Sequence, residues 1–336
     1  MLAGEPRLLR YDLRPGDRLL YRQTLERETS GKQLEALSRG SWTNHLLVLD
    51  GNSGSLVLGF QRNRASGELL RLKVNGQDRL KQGRKDLAER VARNPRHAEG
   101  NRFDSAGWPQ MHPQVVRESN SKVLIEVREI MPLPQGAVRT GDRWEVPGLV
   151  PMTFTAAAWE TLKDESCLRV TGTSPVAELN LSYWFCPASG VMQRLEAEVV
   201  YPAMSGGATR EKFSLELLER GRGQPAAGWL ADADSRHGAL AALLVSDTLP
   251  VATSDLYSLL EQPDADAHRR VLGLAYRRRL PSPGVERLAS LLGSASPRVR
   301  ALAVRMLEQH NPQQARPLIE RALADSDELV QRAALN

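Results

Sequence analysis

The sequence predicts an α+β protein of two unlike domains, an antiparallel β half-barrel or closed barrel followed by a stack of α-helical repeats. Three observations carry this. Apolar and polar residues alternate with period two through the first two thirds of the chain. A stretch of about thirty residues recurs near the C-terminus with apolar positions at helical spacing. Lysine use breaks between the two parts: all seven lysines precede Trp229, and Trp229 to Asn336 holds 13 Arg against 13 Asp plus Glu.

The alternation is clearest in 191–201. Val191, Leu195, Ala197, Val199 and Tyr201 share one face with Gln193, while Met192, Arg194, Glu196, Glu198 and Val200 point the other way. Phe213, Leu215 and Leu217 repeat it against Lys212, Ser214 and Glu216. Turn residues separate the strands: Asp50-Gly51-Asn52-Ser53-Gly54 joins 42–49 to 55–62, Pro187-Ala188-Ser189-Gly190 follows Leu181, Tyr183 and Phe185, and Met204-Ser205-Gly206-Gly207 closes the next hairpin. Short turns between half-apolar strands are the mark of an antiparallel meander. One insertion interrupts it. Residues 78–93 place Leu80, Leu87 and Val91 at helical spacing with six basic residues against three acidic ones, which predicts a solvated helix laid across the sheet.

The β domain echoes itself. Arg14-Pro15-Gly16-Asp17-Arg18 opens one strand set and Arg139-Thr140-Gly141-Asp142-Arg143-Trp144 a second, each with a Gly-Asp turn pair whose carboxylate can cap local amides. These entries, with Phe185-Cys186-Pro187-Ala188-Ser189-Gly190-Val191, resemble exported bacterial β domains of unknown function related to the lipoprotein-carrier half-barrel. The resemblance covers about residues 8–220. It implies export and, as one possible role, the holding of a lipid or lipoprotein in the half-barrel.

In the helical part, Val299, Leu302, Ala303, Met306 and Leu307 form an amphipathic stripe behind Ser296, read as an N-cap, and Pro297 at the first helical position. Thirty-one residues on, Val330 to Ala334 aligns with Val299 to Ala303 behind a second cap at Ser326, and second helices at 285–292 and 315–323 match at Leu288 and Leu318. Looser copies are 266–279 and 235–245. Ser296-Pro297-Arg298-Val299-Arg300-Ala301-Leu302-Ala303 resembles the short bacterial HEAT-like repeat, so 235–336 reads as a HEAT-like solenoid. Such repeats bury their apolar faces by stacking on neighbours. A last unit of one helix implies a longer array or another cap. The expected boundaries are therefore a β domain at 1–220, a linker at 221–234 and repeats at 235–336.

No recognisable catalytic, cofactor or metal site is present. His45, His97, His112, His237, His268 and His310 form no metal-ligand spacing. Gly51 to Ser55 lacks the nucleophile-elbow pattern, and no glycine-rich phosphate loop occurs. Cys167 and Cys186 lie in successive strands, where a simple hairpin register pairs Cys167 near Trp184; a disulfide and two buried thiols both stay open. Arg277-Arg278-Arg279 with Arg269 and Arg270 reads as a solvated basic ridge, because this half has no net charge and no interleaved aromatics, and nucleic acid is not an expected partner. Asn180-Leu181-Ser182 is a formal glycosylation triplet in a buried-looking strand. Trp144, Trp159, Tyr183, Trp184 and Phe185 either fill the core, the preferred reading, or line a lipid-binding concavity.

These observations lead to a non-enzymatic interaction protein in which the repeats bind a protein partner and the β domain anchors or presents it. The alternative is a carrier of a lipid or another hydrophobic ligand. An enzyme-modifying HEAT protein of the bilin-lyase kind is a third class, in which the β domain has no place. No run is long and apolar enough to span a bilayer. The location is the periplasm or cell envelope if a signal peptide has been removed, otherwise the cytoplasm.

Overall fold

A computed structural model describes residues 5–52, 55–93, 97–108, 130–146, 151–175, 178–202, 207–222, 226–246 and 250–335. The chain divides into two compact units, Met1–Gln224 and Pro225–Asn336.

The first unit is built from strands β1 (Arg7–Leu8), β2 (Arg18–Ser30), β3 (Leu34–Asn52), β4 (Ser55–Val74), β5 (Gln77–Asp78), β6 (His97–Phe103), β7 (Ala137–Val138), β8 (Arg143–Val146), β9 (Met152–Leu162), β10 (Glu165–Thr173), β11 (Glu178–Cys186), β12 (Val191–Pro202) and β13 (Ala208–Gly221), with helix α1 (Leu80–Arg93) between β5 and β6. One 11-stranded sheet runs β5-β4-β3-β2-β13-β12-β11-β10-β9-β8, with β6 also on β4, and β1 pairs separately with β7. The closed barrel allowed by the sequence is not formed. Among the described residues the two ends of the sheet do not meet: β5 and β6 pair only with β4, and the four-residue β8 pairs only with β9.

One face of this sheet carries the core: Tyr21, Leu46, Phe154, Val170, Tyr183, Leu195 and Leu215, covered by Leu9, Tyr11, Met131 and Leu133 from the connecting segments. Both Gly-Asp entries build the same turn. Gly16 and Gly141 each take φ 94°, a left-handed value that favours glycine. Gly16 N–H donates to Val48 O at 2.9 Å and Gly141 N–H to Ala156 O at 2.7 Å. Asp17 Oδ2 accepts from the Arg14 amide at 3.2 Å, Asp142 Oδ2 from the Arg139 amide at 2.7 Å. The echo in sequence is thus an echo in hydrogen bonding. It differs in burial: Asp17 is enclosed and ion-paired with Arg220 at 2.6 Å, whereas Asp142 is exposed.

The strict alternation read for 191–201 fails at its start. Val191 and Met192 are both buried in the core, because a bulge at Gln193 of β12, opposite the Trp184–Phe185 step of β11, resets the pairing. Helix α1 rests on β4: Arg84 Nε donates to Leu69 O at 2.9 Å, and a Cβ on Gly83 would come within 2.5 Å of Leu72. A larger residue there would require the ends of the Leu69 and Leu72 side chains to shift. The Met204 turn and the tip of the Asp50 turn lie outside the described residues.

The second unit holds α2 (Ala226–Ala231), α3 (Arg236–Val245), α4 (Thr253–Ser258), α5 (Ala265–Arg278), α6 (Val285–Leu291), α7 (Pro297–Leu307), α8 (Pro312–Leu323) and α9 (Glu328–Leu335). α3 packs on α5, α5 on α7 and α7 on α9, while α6 packs on α8. Val299 and Val330, aligned by the repeat, are both fully buried. The stretch read as a linker is folded in part: α2 lies inside it, and its Trp229 and Leu230 are buried. Gly and Pro around 221–225 marked a boundary, but a helix follows at once because a tryptophan and a leucine supply a face to bury. The caps also differ. Ser296 is the N-cap residue of α7 but its side chain closes no cap bond. At α9 it is Asp327, not Ser326, that accepts the Leu329 amide, at 2.9 Å.

Candidate functional site

A groove of about 1020 Å³ crosses seven adjacent strands, β4-β3-β2-β13-β12-β11-β10. The strand registers resolve its lining into three parallel cross-strand rows. The middle row, the floor, includes Leu25, Phe213, Ala197 and Leu181, with Gly40 and Gly172 towards its ends. Leu181 and Ala197 send their side chains into the core, so their neighbours on either side point to the opposite, polar face. The groove therefore lies on the face away from the core. A Cβ on Gly172 would meet Phe154 at 2.8 Å and one on Gly40 would meet Trp42 at 2.8 Å, contacts on the core side.

One wall is a line of hydroxyls. Ser41, Thr24, Ser214, Ser182 and Thr171 stand in register, with Glu196 the one carboxylate among them. Thr24 and Ser214 are hydrogen-bonded at 2.8 Å. The other wall carries Arg39, Glu26, Lys212, Glu198, Asn180 and Thr173 in register. Its charges compensate locally: Arg39–Glu26 at 2.6 Å, Lys212–Glu198 at 3.9 Å and Arg210–Glu198 at 3.2 Å, while Glu196 pairs with Arg194.

The aromatic residues considered for a lipid concavity are distributed otherwise. Tyr183 and Phe185 are fully buried in the core, and Trp144 and Trp159 pack against it half-buried. Trp184 lies in a separate cluster with Cys167 and Cys186, its Nε1 donating to Glu160 Oε2 at 2.8 Å. Cys167 and Cys186 form a disulfide with their Cα atoms 4.0 Å apart. Leu168 pairs with Phe185, which places the two cysteines directly opposite, so the simple register that set Cys167 near Trp184 is off by two residues. Asn180, from the glycosylation triplet, is exposed on the groove wall.

In the second unit the basic ridge serves as internal fastening. Arg269 and Arg270 both bond Asp266, at 2.7 and 3.0 Å, and Arg278 donates to Leu243 O at 2.7 Å and to Ser246 O. Arg300 of α7 makes a two-pronged pair with Asp325, both contacts at 2.8 Å, and donates to Ser294 O at 2.8 Å.

His268 bonds Gln262 O and His310 bonds Ser282 Oγ; His112 lies outside the described residues. His237 is the notable histidine. It is 3% exposed in α3, with Nε2 3.0 Å from Asp264 Oδ2 and Nδ1 3.4 Å from Asp266 Oδ2 at the start of α5. Burial alone would lower its pKa, but Asp264 and then Asp266 outweigh burial and raise it above the ordinary value. Asp266 is held far below the carboxylate range, first by His237 and then, against burial, by Arg270 and Arg269. The raised His237 pKa stabilises the helical unit fully below the unfolded value of about 6.5, and that contribution is lost as pH climbs through the folded value. The lowered Asp266 pKa works in the other sense, present above about 4 and lost as pH falls towards the folded value. Urea midpoints of the helical transition should therefore fall as pH is taken from 6 to 9 (roughly the span above the unfolded histidine pKa). In His237→Gln that fall should be absent; a variant that keeps it would contradict the assignment.

Among the described residues no group of three or more His, Cys, Asp and Glu is placed to hold a metal ion, and no helix is long and apolar enough to cross a membrane. Residues 285–336 match the profile of the HEAT repeats, and this stretch contains α6 to α9. No curated protein matches the chain. A solved structure titled "Lipid-protein interactions in lipovitellin" is similar at 11% identity with a TM-score of 0.35, over 96% of this chain and 52% of that one. The chain thus spans about half the length of that protein.

The hydroxyl row was not legible in the sequence. Its members lie on five strands, and only the register puts them side by side.

Proposed function

We propose that this chain is a non-enzymatic interaction protein whose HEAT-like helices dock a protein partner, with the β unit as anchor or presenter. The observation that carries this reading is the coincidence of the HEAT match at 285–336 with helices that pack α7 on α9 and α6 on α8. Stacked pairs of this kind expose a continuous surface of successive helices. Leu323, Leu329 and Leu335 add apolar side chains exposed on α8 and α9, 41%, 42% and 75% respectively. The chain works outside the cytoplasm, a location supported by the Cys167–Cys186 bond, since such bonds persist in oxidising compartments.

The test is co-precipitation from an envelope extract with the full chain, Leu329→Asp/Leu335→Asp, and a chain ending at Gln224. The partner should be held by the first, weakened in the second and lost from the third. Retention by the chain ending at Gln224 would contradict the reading.

The carrier of a hydrophobic ligand is the second reading, supported by half-buried Trp42, Leu25, Phe213 and Val199 on the core-facing side of the sheet. Lipid co-purifying with the chain in native mass spectrometry would favour it, and its absence would count against it.

A further inference from the structure

We propose that the groove on the polar face of the β unit binds an extended, neutral oligosaccharide, a site independent of the helical docking surface. The argument is one of shape, charge and unused hydrogen-bonding groups. Seven strands span six spacings of about 4.8 Å, so the groove is about 29 Å long. Its volume of about 1020 Å³ suits a thin extended chain rather than a compact molecule.

The walls set the chemistry. Ser41, Thr24 and Ser214 stand on three consecutive strands and Ser182 and Thr171 on two more, with Glu196 between the two runs, and each hydroxyl is able to donate and to accept. Asn180 adds an amide on the opposite wall. A chain bearing hydroxyls at short regular intervals can pair with such a row along its whole length. Nucleic acid is disfavoured, because the cations in the groove, Arg39 and Lys212, are paired with Glu26 and Glu198, which leaves no basic strip for phosphates. A polycation is disfavoured as well, since Arg39, Arg194 and Arg210 already neutralise Glu26, Glu196 and Glu198. What suits the site is a neutral ligand rich in hydroxyl groups.

An extended peptide fits less well. The groove runs across the strands, and the floor strands β2, β13, β12 and β11 are each paired on both sides. Their backbone groups are committed to the sheet, so the amides of a crossing peptide would find only side-chain partners. The floor has no free edge to extend, and its aromatic residue, Phe213, packs against the core on the opposite face, so it offers the groove no ring to stack upon. Recognition is by hydrogen bonds, and dissociation constants in the high micromolar to millimolar range are expected.

The test is ligand-observed NMR and calorimetry on the full chain. The probes are cellohexaose, chitohexaose, their disaccharides and an extended Gly-Ser peptide of similar length. At least one hexamer should bind, and its disaccharide should bind at least about tenfold more weakly because it spans two or so of the strand spacings. Ser41→Ala/Ser182→Ala removes two wall hydroxyls with little change of shape and should weaken hexamer binding by about tenfold. Ser214→Trp, which fills the groove from the same wall, should abolish it while the circular dichroism spectrum is kept. Failure of both hexamers to bind would overturn the proposal, as would equal binding by the Ala variant, or by the Trp variant in a folded state. Preference for the Gly-Ser peptide would reassign the groove to peptides. None of these readouts involves the helical unit, so they stand or fall apart from partner docking.

Discussion

Replacing Cys167 and Cys186 together by alanine should lower the stability of the β unit by about 3 kcal/mol, the cost of releasing a loop of this size in the unfolded chain. The bond joins directly opposed residues of β10 and β11, 19 apart in sequence, on the face that also buries Trp184. Both cysteines are fully buried, so the double substitution leaves a small cavity on top of the loop-closure effect. The urea midpoint of the β-unit transition, measured without reductant, checks this. Native protein that titrates two free thiols, or an unchanged midpoint, would contradict the bond and with it the support for an oxidising compartment.

Trp229→Ala should destabilise the second unit by about 3–5 kcal/mol, the range for emptying a fully buried large aromatic site. Trp229 is the largest fully enclosed side chain of that unit, and Ser235 Oγ donates to its carbonyl at 3.2 Å, tying α2 to the start of α3. Because the two units need not unfold together, the helical signal should be followed separately from the β signal. A large shift in the first with little change in the second is expected. A midpoint that hardly moves would mean that 226–231 behave as the linker their flanking Gly and Pro residues suggested.

What the sequence could and could not disclose follows from the range over which each signal acts. Helix α7 and its copy α9 were legible because the stripe through Val299 and Met306 is local and repeats at Val330. The two Gly-Asp turns were legible for the same reason: a positive φ and a carboxylate three residues from its amide are set within four residues. The sheet's openness was not legible, since whether β5 and β8 meet depends on curvature accumulated over many strands. Register was the main casualty. One bulge at Gln193, opposite Trp184/Phe185, moved Met192 into the core, and a shift of two residues in the β10–β11 hairpin brought Cys167 opposite Cys186. The groove depends on register across seven strands. The pairing of His237 was not legible because its carboxylate partners, Asp264 and Asp266, lie at the start of another helix.

The central claim is that residues 236–335 form helices that lean on one another in sequence order, giving the surface on which a partner docks. Hydrogen exchange read by mass spectrometry on the intact chain tests it most directly. The account expects slow exchange in α3, α5 and α7, whose buried faces include Leu240, Val271, Leu274, Val299 and Met306, and faster exchange at the C-terminal end of α9, where Leu335 is exposed. Rapid, uniform exchange across α5 and α7 would mean that the helices do not pack on one another, and the docking surface would be lost with them.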